Sequence, residues 1–435
     1  MNASLLVSAV RTAILALSIA VPSAISSAQQ ASQGALVVRD AAVMKGPVKM
    51  PANPEQPDPF IKGGAEFALA FFKESCKGGG NAAFSPCSVQ AAFAMVSEGA
   101  AGQTRKELWD VLRFPQDEKA LRNGFKELEG RFKQAAAAGQ LEISIANSLW
   151  PQKGYSLLPD YVNTVKDSYG ASVSPLDFAS DPEKAREAIN SWVSVQTRGR
   201  IKDLLAKGLL NKDSRLVLAN ALYFKGEWAD KFMKMASKEE PFLLGSGESK
   251  PATMMKRTAS YPYFETQELQ ALEMPYKGGG ISMLVVLPKE RNGLAKLEAR
   301  LSAQDYAEIC AGLAGQSKRV KLSLPRFKVE SGTDLIEGLK ALGVKQAFIP
   351  MKADFSGIDG GRGSLFIGAA VHKAYVEVDE DGTEAAAASA VSMALGSAMR
   401  RDEPVEFKAD HPFLFIIKDS AGEILFLGRV ADPGK

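Results

Sequence analysis

Cysteine and histidine are scarce in this chain. Among its 435 residues there are three cysteines, Cys76, Cys87 and Cys310, and two histidines, His372 and His411. A closed zinc site needs four nitrogen or sulfur ligands at short spacings, and the cysteines form no CxxC pair. The sequence therefore excludes a Cys/His zinc cluster and a disulfide framework, although one disulfide bond remains open. We interpret Cys87 and Cys310 as small buried apolar residues, and we expect no metal and no cofactor.

An excess of charge of one sign is also absent. Lys and Arg total 53 and Asp and Glu total 50, while charged residues make up 24% of the chain and hydrophobic residues 46%. This balance is typical of a globular protein. Phosphate neutralisation needs a concentrated basic face, and no Lys/Arg run here exceeds a few residues. We therefore expect neither nucleic acid nor a membrane surface as a partner.

Long hydrophobic runs are missing beyond the N-terminus. Residues 1–28 carry Arg11, an apolar run from Thr12 to Val21 and a small-residue exit that ends at Ala28, which together predict a secretory signal peptide. A membrane-spanning helix needs about 20 apolar residues, and no other stretch reaches that length. We expect an exported protein, secreted or periplasmic, that is cleaved after Ala28.

The segment after the predicted cleavage point differs in composition from the rest. Residues 29–59 are rich in proline and polar residues and have no periodicity, so they are interpreted as a flexible leader. Residues 60–435 contain no further linker, low-complexity tract or repeat. They are interpreted as one continuous domain.

The periodicity of this domain changes between helix and strand. Thr104 is the expected N-cap of one helix, with Glu107 completing a capping box. Because helices come early and strands dominate late, the order indicates an α+β fold with segregated layers. The predicted helices are Ser88–Ser97, Thr104–Leu112, Pro159–Tyr169 and Asp181–Thr197, and the predicted strands are Leu141–Leu149, Leu216–Phe224, Ile281–Leu287, Arg319–Leu324 and Leu425–Val430.

The common enzyme motifs are missing from the sequence. There is no GxSxG elbow, no GxxxxGK[ST] loop, no HExxH and no GxGxxG after a strand. The glycine clusters Gly78–Gly80 and Gly278–Gly280 are interpreted as turns. His372 and His411 lie in apolar surroundings and are interpreted as structural residues rather than bases. The acidic run Asp379–Asp381 is interpreted as a solvated turn, and we expect a protein without enzymatic activity.

The segment from Val376 to Pro404 fits two descriptions. Its alanine-rich part favours a short exposed helix with Thr383 as the cap. Read as a strand from Thr383, it carries only small or apolar side chains on one face, and its charge, Glu384, falls on the other. Such a strand can enter a sheet without burying an ion, which would cost several kcal/mol. Gly382 supplies a flexible joint at its start.

Six separated motifs resemble those of the inhibitory serpins, in the order in which that family has them. The resemblance covers Phe60 to Pro433 and implies the serpin fold, in which helices pack on a large central mixed β-sheet with two further sheets. It also implies an exposed reactive-centre loop at about residues 381–404. The motifs are NAAFSPCSVQAAFAMVSEGAAGQT (81–104), INSWVSVQTRGRIKDLL (189–205), LANALYFKGEW (218–228), LEMPYKGGGISMLVVLP (272–288), VDEDGTEAAAAS (378–389) and ADHPFLFIIKDSAGEILFLGRVADP (409–433).

The resemblance implies an irreversible suicide-substrate inhibitor of serine proteases. The protease attacks the loop and forms an acyl-enzyme, after which the freed arm inserts into the central sheet. About twelve residues at roughly 3.3 Å each would carry the tethered protease about 40 Å before deacylation. The native fold would therefore be metastable. A covalent complex with the target protease and a monomeric inhibitor are expected.

The resemblance also assigns roles to single residues. Gly382 and Thr383 match the joint of the hinge, and Trp228 matches an aromatic residue at the place of first insertion. Arg326 is the expected partner of Glu380 in a surface ion pair. The full hinge is Glu380, Gly382, Thr383, Glu384, Ala385, Ala386, Ala387 and Ala388, and the polar cluster expected beneath the sheet is Ser85, Ser88, Asn220 and His372.

The reactive bond has two possible positions. Counting from the hinge by the family spacing places it between Gly396 and Ser397, which favours an elastase-like or subtilisin-like protease that accepts small residues or reads Leu395. Counting back from the following strand reaches Arg401 or Arg400, which would suit the acidic pocket of a trypsin-like protease. The hinge-side count is preferred, because insertion length is set from that side.

Two rival functions remain to be distinguished. A non-inhibitory serpin, acting as a carrier or chaperone, is expected to interrupt the inward hinge positions with proline, charge or bulk, and this sequence does not. A hydrolase is disfavoured because the chain has only two histidines that could act as a catalytic base, and both are interpreted as structural residues. The sequence lacks a helix as rich in Lys and Arg as that of heparin-binding serpins, so no polyanion cofactor is expected.

Overall fold

The computed structural model describes residues 36–37, 58–139, 141–383 and 403–434. The helices in these ranges are α1 (Pro59–Ser75), α2 (Pro86–Ser97), α3 (Gly102–Val111), α4 (Glu118–Gly139), α5 (Pro159–Tyr169), α6 (Pro182–Gln196), α7 (Leu294–Arg300), α8 (Ala303–Leu313), α9 (Leu335–Leu342) and α10 (Ser356–Asp359). The strands are β1 (Leu36–Val37), β2 (Ala82–Phe84), β3 (Glu142–Pro151), β4 (Ser172–Val173), β5 (Leu216–Glu227), β6 (Lys238–Leu243), β7 (Ser249–Glu265), β8 (Leu269–Pro275), β9 (Ile281–Pro288), β10 (Ser317–Pro325), β11 (Phe327–Asp334), β12 (Ile367–Val378), β13 (Gly382–Thr383), β14 (Val405–Lys408), β15 (Phe413–Asp419) and β16 (Ile424–Val430).

A mixed seven-stranded sheet is the central element. Its spatial order is β1-β3-β5-β13-β12-β11, with β4 beside β3. Strand β5 pairs antiparallel with β3 and parallel with β12. Its near-continuous apolar sequence fits burial on both faces. Leu218 and Leu222 face the main core, whereas Val217 and Ala219 pack with Trp192 of α6 on the other face.

The remaining sheet has nine strands in two parts. Its order is β14-β10-β7-β8-β9-β15-β16-β2, with β6 beside β7. The long strand β7 pairs with β10 over Met254–Pro262 and with β8 over Tyr263–Glu265. The two further sheets expected from the sequence are thus joined through β7. Gly278, Gly279 and Gly280 all have positive φ and form the predicted turn between β8 and β9.

Helix α2 lies inside the molecule. All twelve of its residues are buried, which agrees with a helix that is apolar on every side. Ser85 is its N-cap and accepts a hydrogen bond from the Ser88 N–H at 3.3 Å, and Pro86 opens the first turn. The helix contacts both β5 and β16, so its N-terminal serines lie beneath the central sheet.

Most predicted elements are confirmed within a few residues, and α5 spans the predicted range. The N-cap prediction at Thr104 is wrong. Helix α3 begins at Gly102, and its N-cap Ala101 makes no side-chain cap bond. The Thr104 hydroxyl instead accepts from the Asp354 N–H, and Glu107 accepts from Lys345 and Gln346. Tertiary partners therefore replace the local capping box.

The predicted leader and the three cysteines can also be compared with the structure. Strand β1 lies within the expected leader and pairs with Ser144 and Ile145 of β3, so the leader of residues 29–59 is not irregular throughout. All three cysteines are free; Cys87 is buried, while Cys76 and Cys310 are partly buried. Burial raises the pKa of the Cys76 thiol to about 11.

In the described part of the chain, no helix has the length and hydrophobicity needed to cross a membrane.

Candidate functional site

The candidate site is a gap between two neighbouring strands of the central sheet. Strands β5 and β12 are paired from Leu216 and Ile367 up to Leu222 and Ala374. Beyond that point β13 lies between them, with Thr383 opposite Gly226 of β5 and opposite Val378 of β12. Gly382, the predicted joint, and Thr383, the first residue of the predicted hinge strand, are therefore already inside the sheet.

Gly382 is required by the close approach of β13 to β5. A Cβ atom at this position would lie 2.0 Å from the Gly226 carbonyl oxygen and 2.7 Å from Cα of Glu227. No side chain fits against that backbone without displacing the strand. The sequence assigned Gly382 to the hinge as a joint, and the structure adds this steric reason.

The Thr383 side chain points into the core beneath the sheet. It is 1% exposed, and its hydroxyl is 2.6 Å from the hydroxyl of Tyr276. The Tyr276 ring stacks on Trp228, with ring centroids 4.6 Å apart and planes 12° apart. A small polar side chain on an aromatic floor thus ends the described part of the hinge.

The acidic run forms a buried turn, so the prediction of a solvated turn is wrong. Asp379 Oδ1 accepts from the N–H groups of Asp381 and Gly382 at 2.8 and 3.1 Å. Trp228 supplies two donors, its backbone N–H to the Asp381 carbonyl and its Nε1–H to the Asp379 carbonyl, at 3.0 and 2.9 Å. Burial raises the pKa of Asp379. The turn reverses the chain from β12 into β13.

Glu380 is held by a bidentate ion pair. Arg326 donates from Nε and Nη2 to the two carboxylate oxygens at 2.8 and 2.6 Å, and the Ser237 hydroxyl also donates to Glu380. Burial raises the pKa of Glu380, but the hydrogen bonds from Arg326 and Ser237 outweigh it and leave the pKa below its usual value. The predicted partner is in place, but Glu380 is only 1% exposed. The expected surface pair is thus buried on its acidic side.

Asp381 is anchored to the segment that follows Trp228. Its carboxylate lies 2.7 Å from Lys234 Nζ and 3.5 Å from Lys231 Nζ. The Phe232 N–H donates to the Glu380 carbonyl at 2.9 Å. These contacts fix the position of the hinge turn against residues 229–237.

A polar cluster lies under the paired part of β5 and β12. His372 Nε2 accepts from the Ser85 N–H at 2.9 Å, so its proton is on Nδ1, which faces the side-chain oxygen of Asn220. Asn220 donates to Ser88 and to Asn147. Burial lowers the pKa of His372 to about 3. The neutral ring therefore acts as a hydrogen-bond partner between the strands and α2.

The second histidine lies elsewhere and is also engaged. His411 contacts the Pro288 carbonyl through Nε2 at 2.7 Å and Asp410 through Nδ1 at 2.9 Å. Both histidines are buried. Among the described residues there is no group of three His, Cys, Asp or Glu side chains that could hold a metal ion. Each histidine thus has hydrogen-bond partners on both ring nitrogens.

Several predicted residues lie outside the described ranges, and sequence reasoning also missed some that line the site. The missed side chains include Asn147, which accepts from Asn220, and Tyr276, which contacts Thr383. Asn147 was detectable as an amide inside an apolar strand, while nothing local marks Tyr276. Ser237, Lys231 and Lys234 come from a segment with no pattern of its own. The undescribed predictions are Glu384, Ala385, Ala386, Ala387, Ala388, Leu395, Gly396, Ser397, Arg400 and Arg401.

Comparison with known proteins gives consistent matches over nearly the whole domain. The family model described as "Serpin (serine protease inhibitor)" matches residues 62–433. An uncharacterized serpin-like protein of Thermococcus kodakarensis is 40% identical over 379 residues, which is 87% of this chain and 87% of that protein. The leukocyte elastase inhibitor of Homo sapiens is 40% identical over 361 residues, which is 81% of this chain and 93% of the relative.

Solved structures are similar over the same region. Uncleaved ovalbumin has a TM-score of 0.77 and 32% identity, and the match covers 86% of this chain and 100% of ovalbumin. Serpin48 of the insect Tenebrio molitor, described as a highly specific serpin, has a TM-score of 0.77 and 31% identity, with 87% of this chain and 100% of that chain covered.

Proposed function

The chain belongs to the serpin family and has the serpin fold, and from that premise we propose that it inhibits serine proteases as a suicide substrate. The observation that carries the proposal is β13, two residues of the hinge held between β5 and β12. A strand that has started to enter a sheet marks the path along which a cleaved arm can continue.

The register of β13 defines that path. Continuing the antiparallel pairing by two residues at a time places Ala385 between Phe224 and Val376, and then Ala387 between Leu222 and Ala374. These four strand residues are core residues beneath the sheet. Alanine at both inward positions adds the arm without overpacking that core.

Full insertion requires β5 and β12 to part. Seven register pairs join them in parallel, from Leu216 and Ile367 to Leu222 and Ala374. An inserted arm replaces these pairs with two antiparallel ladders, so the backbone hydrogen bonding of the sheet increases. In the extended register Ser389 would lie between Asn220 and His372, whose side chains contact each other across the paired strands. After the strands separate, the Ser389 hydroxyl can hydrogen-bond to these two side chains.

The proposed reactive bond is Gly396–Ser397, with an elastase-like or subtilisin-like target. The small residue at Gly396, or Leu395 before it, suits proteases with shallow or apolar pockets. The leukocyte elastase inhibitors among the relatives support this choice over Arg400 and Arg401. The proposed complex is covalent and contains one inhibitor molecule and one protease molecule.

The test is to incubate the purified chain with elastase, subtilisin and trypsin in parallel. Denaturing gel electrophoresis should show a complex of protease and inhibitor that survives the denaturant. N-terminal sequencing of the released C-terminal peptide should begin at Ser397. Cleavage of the loop by a protease that cuts it without being trapped should raise the thermal resistance of the inhibitor, because the inserted form is the more stable one.

The alternatives give different results in the same experiment. A complex with trypsin alone and a peptide beginning after Arg400 or Arg401 would move the reactive bond and the target class. Clean cleavage with no complex, and no gain in thermal resistance, would contradict suicide inhibition. It would favour the non-inhibitory carrier or chaperone function.

We also propose that residues 1–28 direct export and are removed after Ala28, with residues 29–59 as the leader of the mature chain. The apolar run and the small residues before Ala28 support this reading. Expression of the full chain in a bacterial host should yield an exported protein that begins at Gln29. A cytoplasmic protein that retains residues 1–28 would contradict it.

A further inference from the structure

Two methionines beside the hinge turn are open to solvent. Met233 is 58% exposed and Met235 is 87% exposed. They lie two residues apart in segment 229–237, between Trp228 and β6. Single exposed apolar side chains are common on protein surfaces, but two of them beside the proposed reactive loop form a small apolar patch at a place that a target protease would approach.

The segment that carries the pair is held firmly on the domain. The Ala229 N–H donates to the Pro275 carbonyl at 3.0 Å, and the Lys231 carbonyl accepts from Arg257 at 2.9 Å. Phe232, directly before the methionines, is buried. A partner that binds here therefore meets a fixed surface, and little conformational entropy is lost on binding.

The pair lies close to the start of the proposed reactive loop, and the next strand contacts the chain after the loop. Lys234, between the two methionines, is 2.7 Å from Asp381 at the start of the loop. On the other side, Glu240 of β6 is 3.6 Å from Lys408 of β14, where the chain returns from the loop. Segment 229–237 thus lies beside the start of the proposed reactive loop.

We propose that Met233 and Met235 form a docking surface for the body of the target protease, outside its substrate cleft. This inference rests on the proposed protease inhibition. A protease bound to a loop of this length faces the base of the loop, where the methionines protrude. Lys231 and Lys234, on either side of Met233 in the sequence, are both paired with Asp381, so a complementary protease surface is expected to be apolar where it meets the methionines.

The experiment replaces the apolar pair without changing its size. Met233→Gln with Met235→Gln is compared with the wild-type chain and with Met351→Gln. Met351 is 83% exposed and lies against Gly363, just before the start of β12, so roughly 35 Å of strand separate it from the hinge. The first readout is the association rate constant with each protease that the wild-type chain traps. The second is the dissociation constant for the same protease with its catalytic serine replaced by alanine.

The double variant is expected to associate roughly tenfold more slowly with the protease and to bind the inactive protease roughly tenfold more weakly. The reason is that the apolar contacts that the two methionines would make in the complex are lost. Met351→Gln should match the wild-type chain, and all three chains should gain the same thermal resistance on cleavage. Equal rates and affinities for all chains with a protease that the wild-type traps would overturn the docking surface and leave inhibition intact. A wild-type dimer that the double variant abolishes would assign the pair to a second copy of this chain instead. A wild-type chain that traps no protease would overturn both proposals.

Discussion

Thr383 is the residue at which one substitution should block the proposed insertion. Its side chain is buried between β5 and β12 and contacts Tyr276. Thr383→Arg would place a bulky charged guanidinium in a buried volume that a threonine side chain fills, above the rings of Tyr276 and Trp228. We expect the variant to be cleaved by the protease as a substrate and to lose the ability to trap the protease.

The size of the effect follows from the burial of the site. An unpaired charge inside a protein costs several kcal/mol, and loss of the hydroxyl contact adds about 1 kcal/mol. Because Thr383 is already buried before cleavage, the charge is expected to push the hinge out of the sheet, and insertion then has to bury it again. If about 3 kcal/mol of this cost appears in the barrier to insertion, insertion slows roughly hundredfold. Deacylation does not involve the sheet and keeps its rate. The acyl-enzyme therefore hydrolyses before the arm has inserted.

The assay is the number of inhibitor molecules consumed for each protease inactivated, with gel analysis of the products. The wild-type chain should give a value near one, and Thr383→Arg should give cleaved inhibitor with active protease. Thr383→Ser is the matched control, because it keeps the hydroxyl and the small volume, and it should behave like the wild type. Trapping by Thr383→Arg with unchanged stoichiometry would refute the insertion path described by β13.

Three further predictions concern stability. Arg326→Ala should lower the free energy of unfolding by roughly 3 kcal/mol in denaturant titrations, because Glu380 stays buried without its partner; adding Glu380→Gln should restore part of that loss, and no loss would make the pair dispensable. Burial and the neighbouring Asp419 raise the pKa of Glu423, whose carboxylate oxygens have no hydrogen-bond partner among the described residues. The protonated carboxyl of Glu423 therefore contributes fully to the free energy of unfolding in acid, and this contribution is lost as the pH rises through the raised pKa. Glu423→Gln should flatten the fall in melting temperature from pH 5 to pH 9, and an unchanged slope would contradict this. Burial lowers the pKa of His372 to about 3, so its contribution is present above about pH 6.5 and is lost on acidification; urea unfolding of His372→Gln should lack that acid-dependent loss.

The secondary structure was predictable wherever the pattern was strong. Strand β5 combines a long apolar sequence with buried surroundings on both faces, so local preference and tertiary environment agree. Helix α3 shows the opposite case. Thr104 and Glu107 have the spacing of a capping box, but both side chains bind backbone groups from residues 345–354, which a local pattern cannot anticipate.

The candidate site was predictable in part, and for a physical reason. Gly382 could be assigned to the hinge because a strand that enters a sheet needs a flexible joint, and it lies in β13. The assignment of the alanines after it stays a prediction. Tyr276 could not be found, because its importance comes from lying beneath Thr383, 107 residues later in the chain. The acidic turn was misread for the same reason.

The sequence alone determined the family, the order of the elements and an arm without inward charge, because these depend on the types of residues and their spacing. Only the tertiary structure decided that the hinge already lies inside the sheet and that its acidic residues are buried. It also placed the two exposed methionines at the base of the loop. These features arise from contacts between segments far apart in the chain, and such contacts leave no local pattern to read.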